Sequence, residues 1–127
     1  MNNAKLQAQK NTLVKKQLMD ESDNLLDYTQ GNTKERLLGK WGGGQWRPGW
    51  IYFTEQKIIC FWGVLGYLEI PYNSIRALSK STQMFLPFGI TITYTDKNGK
   101  VVEDKISVQK RNERINLISE RSGVQVS

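Results

Sequence analysis

The period of the apolar positions changes along the chain. In residues 4–29, Leu6, Leu13, Val14, Leu18 and Leu25 share one broad face of a 3.6-residue repeat, with Lys, Gln, Asp and Glu elsewhere. This spacing predicts a helix over 4–29 that stops at Gly31. The DES triplet at 20–22 can split it, because Asp20 or Ser22 can cap a second piece. From residue 34 the apolar residues come in short runs: RLLGKW, WIYFT, KIICFW, GYLEIPY, IRALSK, GITITYT and KVVEDKIS. GITITYT sets Ile90, Ile92 and Tyr94 against Thr91, Thr93 and Thr95, the two-residue period of a strand. DKNG at 96–99 predicts a hairpin turn, since Asn-Gly readily takes positive φ. In QKRNERINLISERSG, Ile115 and Ile118 share a face and Gly123 marks a helix end. The order is helix, seven strands, helix. Seven short antiparallel strands must hide their edges, and a small barrel plugged by the C-terminal helix does so.

Composition narrows the function classes. The 127 residues are 39% hydrophobic and 24% charged, which fits one globular domain and not wholesale disorder. No run of eighteen apolar residues occurs, and the first residues do not read as a signal peptide, so a cytoplasmic location is expected. Cys60, the single cysteine, lies in the apolar run KIICFWG and reads as a small buried hydrophobe. With no histidine and one cysteine, zinc sites and histidine-dependent triads are nearly excluded, and neither metal nor cofactor is expected. Net charge is +6, and residues 1–31 are balanced, so the excess belongs to residues 32–127. That excess permits an anionic partner without naming one.

Three segments in order carry a family resemblance. GWIYFTEQKIICF (49–61) runs glycine, hydrophobics, Thr-Glu-x-Lys and hydrophobics again. EIPYNSIRALSK (69–80) follows, then LPFGITI (86–92). Together they resemble the pleckstrin-homology (PH) superfamily, most closely its GRAM and bacterial PH-like branches, over residues 34–121. The resemblance implies a mainly β fold, a PH-like barrel of seven antiparallel strands closed by the C-terminal helix. It divides the chain into an N-terminal helical extension (1–31), a PH-like domain (32–121) and a short tail (122–127). Pro71 suits a strand exit, and Thr54 can hold a tight turn through its side-chain oxygen while Lys57 faces solvent.

Members of this superfamily serve as binding modules. The resemblance implies a phosphate-contacting loop between the first two strands, here GGGQWRPG, with Lys40, Arg47 and Lys57 as the cations and Trp46 dipping into the lipid interface. The loop offers Arg47 alone between Lys40 and Lys57, which is sparse for a phosphoinositide site. An exposed tryptophan beside an arginine is equally a protein-interface anchor. The leading expectation is therefore a non-enzymatic module for protein–protein interaction or self-association. Peripheral binding to anionic membrane lipid or phosphoinositide is the alternative, and weak nucleic-acid binding a second, less favoured one. Trp41 and Trp50 are expected to pack as aromatics at strand ends, with Pro48-Gly49 as a turn. Met84, Phe85, Leu86 and Phe88 form either an exposed apolar tip or a flap over a barrel end.

Other charges read as solvated surface: KRNER (110–114) as a first helical turn, and Asp20, Glu21 and Asp23 as a helix face. Glu103 and Asp104 are adjacent on a strand and point to opposite sides, so they form no carboxylate pair. No GxxxxGK[ST] loop occurs, and GGGQWRPG leads into a strand, not a helix, so an enzyme is not expected.

Overall fold

The computed structural model describes residues 3–35, 45–83 and 85–127. The elements are α1 (Asn3–Lys15), β1 (Leu25–Glu35), β2 (Gln45–Thr54), β3 (Lys57–Phe61), β4 (Tyr67–Pro71), β5 (Ile75–Gln83), β6 (Leu86–Thr95), β7 (Val101–Val108) and α2 (Arg111–Ser122). All strand pairs are antiparallel, and the sheet order is β4-β3-β2-β1-β7-β6-β5. The sheet ends on β4 and β5 and is not closed by strand pairing, which corrects the expectation of a closed barrel. One edge is covered differently: Val126 makes a parallel bridge to Leu78 of β5, and the Ser127 N–H donates to the Leu78 carbonyl at 2.9 Å.

The N-terminal helix is shorter than its pattern predicts. Gln17 adopts φ 61, and the Gln17 and Leu18 N–H groups donate back to the carbonyls of Val14 and Leu13. This is a left-handed helix stop made by a residue other than glycine. Gln17→Gly is expected to raise stability by about 0.5–1 kcal/mol, because glycine takes this conformation without strain. Thermal melts check it; an unchanged or lower midpoint contradicts it. Residues 25–35, expected to end the helix and its stop, instead form β1, and Gly31 lies inside the strand. Pairing with β2 on one side and β7 on the other overrides the helical spacing of Leu18 and Leu25. The predicted first strand, RLLGKW (36–41), lies outside the described residues, and β2 begins at Gln45, five residues before the predicted WIYFT strand.

Two apolar layers result. The inner face carries Ile51, Phe53, Ile58, Cys60, Ile70, Ile90, Ile92 and Ile106, and α2 adds Ile115 and Ile118. The outer face of β1–β3 carries Tyr52 and Ile59, covered by Leu13, Leu18 and Met19 from α1 and the turn after it. Within WIYFT the two faces separate by strict alternation, Ile51 and Phe53 inward, Trp50 and Tyr52 outward. Trp50 is 37% exposed, so of the two places expected for it, core or barrel end, it does not take the core.

Several turns match the sequence reading. Thr54 Oγ1 accepts from the N–H groups of Gln56 and Lys57 at 3.1 and 3.0 Å. Asp96 Oδ1 accepts from the N–H groups of Asn98 and Lys100, and Gly99 takes φ 79. Pro48 and Gly49 are strand residues, not a turn, and Gly49 pairs with Gly31.

Candidate functional site

Of the cations predicted to share one site, the two described ones, Arg47 and Lys57, lie at opposite ends of β2. Trp46 and Arg47 are half-buried on β2, opposite Lys34 and Thr33 of β1. Lys57 begins β3 beyond the far end of β2, next to Thr54; seven strand residues separate Thr54 from Arg47, or about 23 Å. Its ammonium is not simply solvated: it pairs with Glu69 at 3.1 Å. Lys40 and Trp41 lie outside the described residues, as does Met84.

Of the apolar segment 84–88, Phe85 and Leu86 are exposed and Phe88 is half-buried. Phe85 is 99% exposed with φ 69, and Leu86 is 50% exposed. Behind the tip runs a groove of about 880 Å³, lined by residues 29–32, 48–50, 86, 88 and 107–109. It lies at the fork where β7 ends beside Gly31 and β1 continues paired with β2 only. Trp50, Leu86 and the half-buried Phe88 supply its large apolar side chains. Its lining contains no charged residue.

A second cleft of about 480 Å³ lies between β4 and the β6–β7 turn, lined by Tyr67–Glu69, Pro71 and Tyr94–Asn98. The turn before β4 leaves Val64 fully exposed, with Leu65 and Tyr67 half exposed, and Val101 is similarly open just past the β6–β7 turn. Lys97 and Lys100 stand on that turn.

Three buried polar arrangements were not legible as such. Arg114, read as solvated, is buried and pairs with Asp27 at 3.3 Å while donating to the Gln109 carbonyl at 2.6 Å. Asp23, also read as solvated, is buried; its Oδ1 accepts from the N–H groups of Asn24 and Glu55. Each joins residues far apart in sequence, so no local signal marks it. Asp104 is buried and accepts from the Tyr94 hydroxyl at 2.6 Å, while Glu103 is exposed, as their opposite orientations require. Burial pushes the Cys60 thiol up to about 12, against a smaller opposing hydrogen bond with Thr33, so this thiol is no nucleophile.

No family model matches the sequence, and no curated protein matches it. Solved structures do. The C-terminal domain of an unknown protein from Leishmania infantum is similar over 91% of this chain and 95% of its own, at 11% identity and TM-score 0.64. A chain in the structure of human RhoA in complex with the DH/PH fragment of PDZRHOGEF is similar over 80% of this chain and 29% of its own, at 11% identity and TM-score 0.58. The Slm1-PH domain in complex with inositol-4-phosphate is similar over 77% and 93%, at 5% identity and TM-score 0.52. The fold is PH-like. In this PH-like chain no described helix is long and apolar enough to cross a membrane. Among the described residues no group of His, Cys, Asp or Glu is arranged to hold a metal ion.

Proposed function

We propose that this PH-like chain is a non-catalytic binding module that takes a segment of a protein in the groove between the β1–β2 hairpin and the β5–β6 tip. One observation carries the reading: Trp50, Leu86 and Phe88 line a concave surface without a charged side chain. Phosphate recognition calls for convergent cations, whereas buried aromatic and aliphatic anchors are what protein interfaces use. Trp46 stands four residues from Trp50 on the same face of the strand and extends that surface, whereas Arg47, three residues away, has the opposite parity. The RhoA complex and the inositol-phosphate complex among the structural neighbours support a binding role of either kind. The EIPYNSIRALSK and LPFGITI patterns support kinship with the GRAM and bacterial PH-like branches. The setting we propose is cytoplasmic.

A second reading has its own observation. Val64, Leu65, Tyr67 and Val101 are exposed beside Lys97 and Lys100, a combination suited to the surface of an anionic membrane. One experiment separates the two. Random peptides displayed on phage are selected on the immobilised protein and retested on Trp50→Ala, while sedimentation with phosphatidylserine vesicles compares wild type with Val64→Asp/Leu65→Asp. The groove reading expects selected peptides that lose at least tenfold affinity on Trp50→Ala. Peptides that bind both proteins equally, or vesicle recruitment abolished by the loop variant with no peptide selected, overturn it.

A further inference from the structure

The groove leads to a pair of lysines. Lys34 of β1 lies directly opposite Lys105 of β7, and both are half-buried on the outward face of the sheet. Trp46 flanks Lys34 on β2, and Thr91 flanks Lys105 on β6. Like charges directly opposite one another on adjacent strands destabilise a sheet. Neither ammonium has an ion-pair partner among the described residues. Glu103 shares their face but lies two residues further along β7, on the side away from the groove. An anion supplied from outside would relieve the repulsion.

The pair is continuous with the groove. The next row on the same face is Pro48, Asn32 and Ser107, all of which line it. Trp50 pairs with Gln30, four residues from Lys34, so the apolar end and the lysines are about 13 Å apart along β1. Four residues of an extended chain span the same distance.

We propose that the groove binds an extended acidic peptide segment of another protein. An apolar side chain sits among Trp50, Leu86 and Phe88, and a carboxylate about four residues away reaches Lys34 and Lys105. This rests on the groove reading above and adds the partner's charge and spacing. A bilayer fits less well, because the apolar anchors line a concavity and the cations lie along the strand direction beyond it.

The test uses fluorescein-labelled ten-residue peptides of Gly-Ser background. One carries a Phe with a Glu pair centred four residues on; a second carries a Lys pair instead. Anisotropy titrations at low salt compare wild type, Lys34→Glu/Lys105→Glu and Trp50→Ala. The acidic peptide is expected to bind wild type and to lose at least tenfold on the charge-reversed protein. That protein should in turn prefer the basic peptide, which also shows that it is folded. If the acidic peptide binds wild type and the charge-reversed protein equally but weakens on Trp50→Ala, the lysine pair is overturned and the groove stands. If wild type binds neither peptide, the inference is overturned and the phage selection decides the groove. Lysine-dependent recruitment to phosphatidylserine vesicles without peptide binding also overturns it, as does a dimer in light scattering that the charge reversal dissociates.

Discussion

Gly49→Ala is expected to cost about 3 kcal/mol or more of unfolding free energy, among the largest effects of any single methyl group in this chain. The new Cβ would stand 2.2 Å from the Phe61 carbonyl oxygen and 3.2 Å from Trp62 Cδ1. The first of these is backbone of the neighbouring strand, so no side chain can swing aside. Retreat the other way is blocked as well. Gly49 pairs with Gly31, whose own position already lies against the Ser107 carbonyl and Ile51. The two glycines therefore let β7, β1, β2 and β3 approach one another, and they also form part of the groove lining. Urea unfolding monitored by tryptophan fluorescence measures the loss. A change under about 1 kcal/mol would show that the strands separate more easily than their pairing indicates.

Alkaline pH is the second large lever. The Cys60 thiol is held at about 12 by burial, against a starting value of 9.0. The unfolded chain therefore releases this proton first. Cys60 contributes its full stability below pH 9, and that contribution is lost as pH rises toward 12. Each pH unit in that window removes about 1.4 kcal/mol, so pH 10.5 should cost about 2 kcal/mol relative to pH 9 from this group alone. Burial raises the Tyr72 hydroxyl as well, which adds to the decline at still higher pH. Denaturant titrations at pH 7, 9 and 10.5 are the measurement, with Cys60→Ala alongside. The variant starts less stable, having lost a buried side chain, but its alkaline limb should be flatter. Parallel decline of the two proteins would assign the effect elsewhere. Thiol-labelling of the native protein at pH 8 should proceed only as fast as the chain unfolds.

Residues 45–122 were largely legible because each strand buries one face. Ile90, Ile92 and Tyr94 alternate with threonines, and Ile115 and Ile118 repeat at helical spacing, so the apolar pattern alone locates these elements. β1 was not legible. Its sequence LLDYTQGNTKE has little apolar alternation, because its outer face is partly wet and two of its inward positions are Gly31 and Thr33. Its strand character comes from neighbours on both sides. The candidate site divides in the same way. The tip at Phe85 and Leu86 was visible as an apolar cluster between strands, and Trp50 was visible as a tryptophan. That Trp50 faces outward follows only once Ile51 and Phe53 are assigned inward. The opposition of Lys34 and Lys105 depends on the register of strands some seventy residues apart, about which local sequence is silent. Lys57 was misread for a related reason: its partner Glu69 becomes a neighbour only when β3 and β4 pair.

The tail that lies along β5 has a consequence for how molecules meet. A sheet with two open ends offers two places where a foreign strand can add, and such addition is the first step of ordered aggregation. Val126 and Ser127 already occupy part of the β5 border. The opposite border is β4, five residues long and ending in Pro71, which has no N–H to give. Stacking of copies edge to edge is therefore left with the short β4 side and the part of β5 that the tail does not cover. Removing the last four residues would open the β5 border around Leu78 and should shift the protein toward fibrils that bind amyloid dyes.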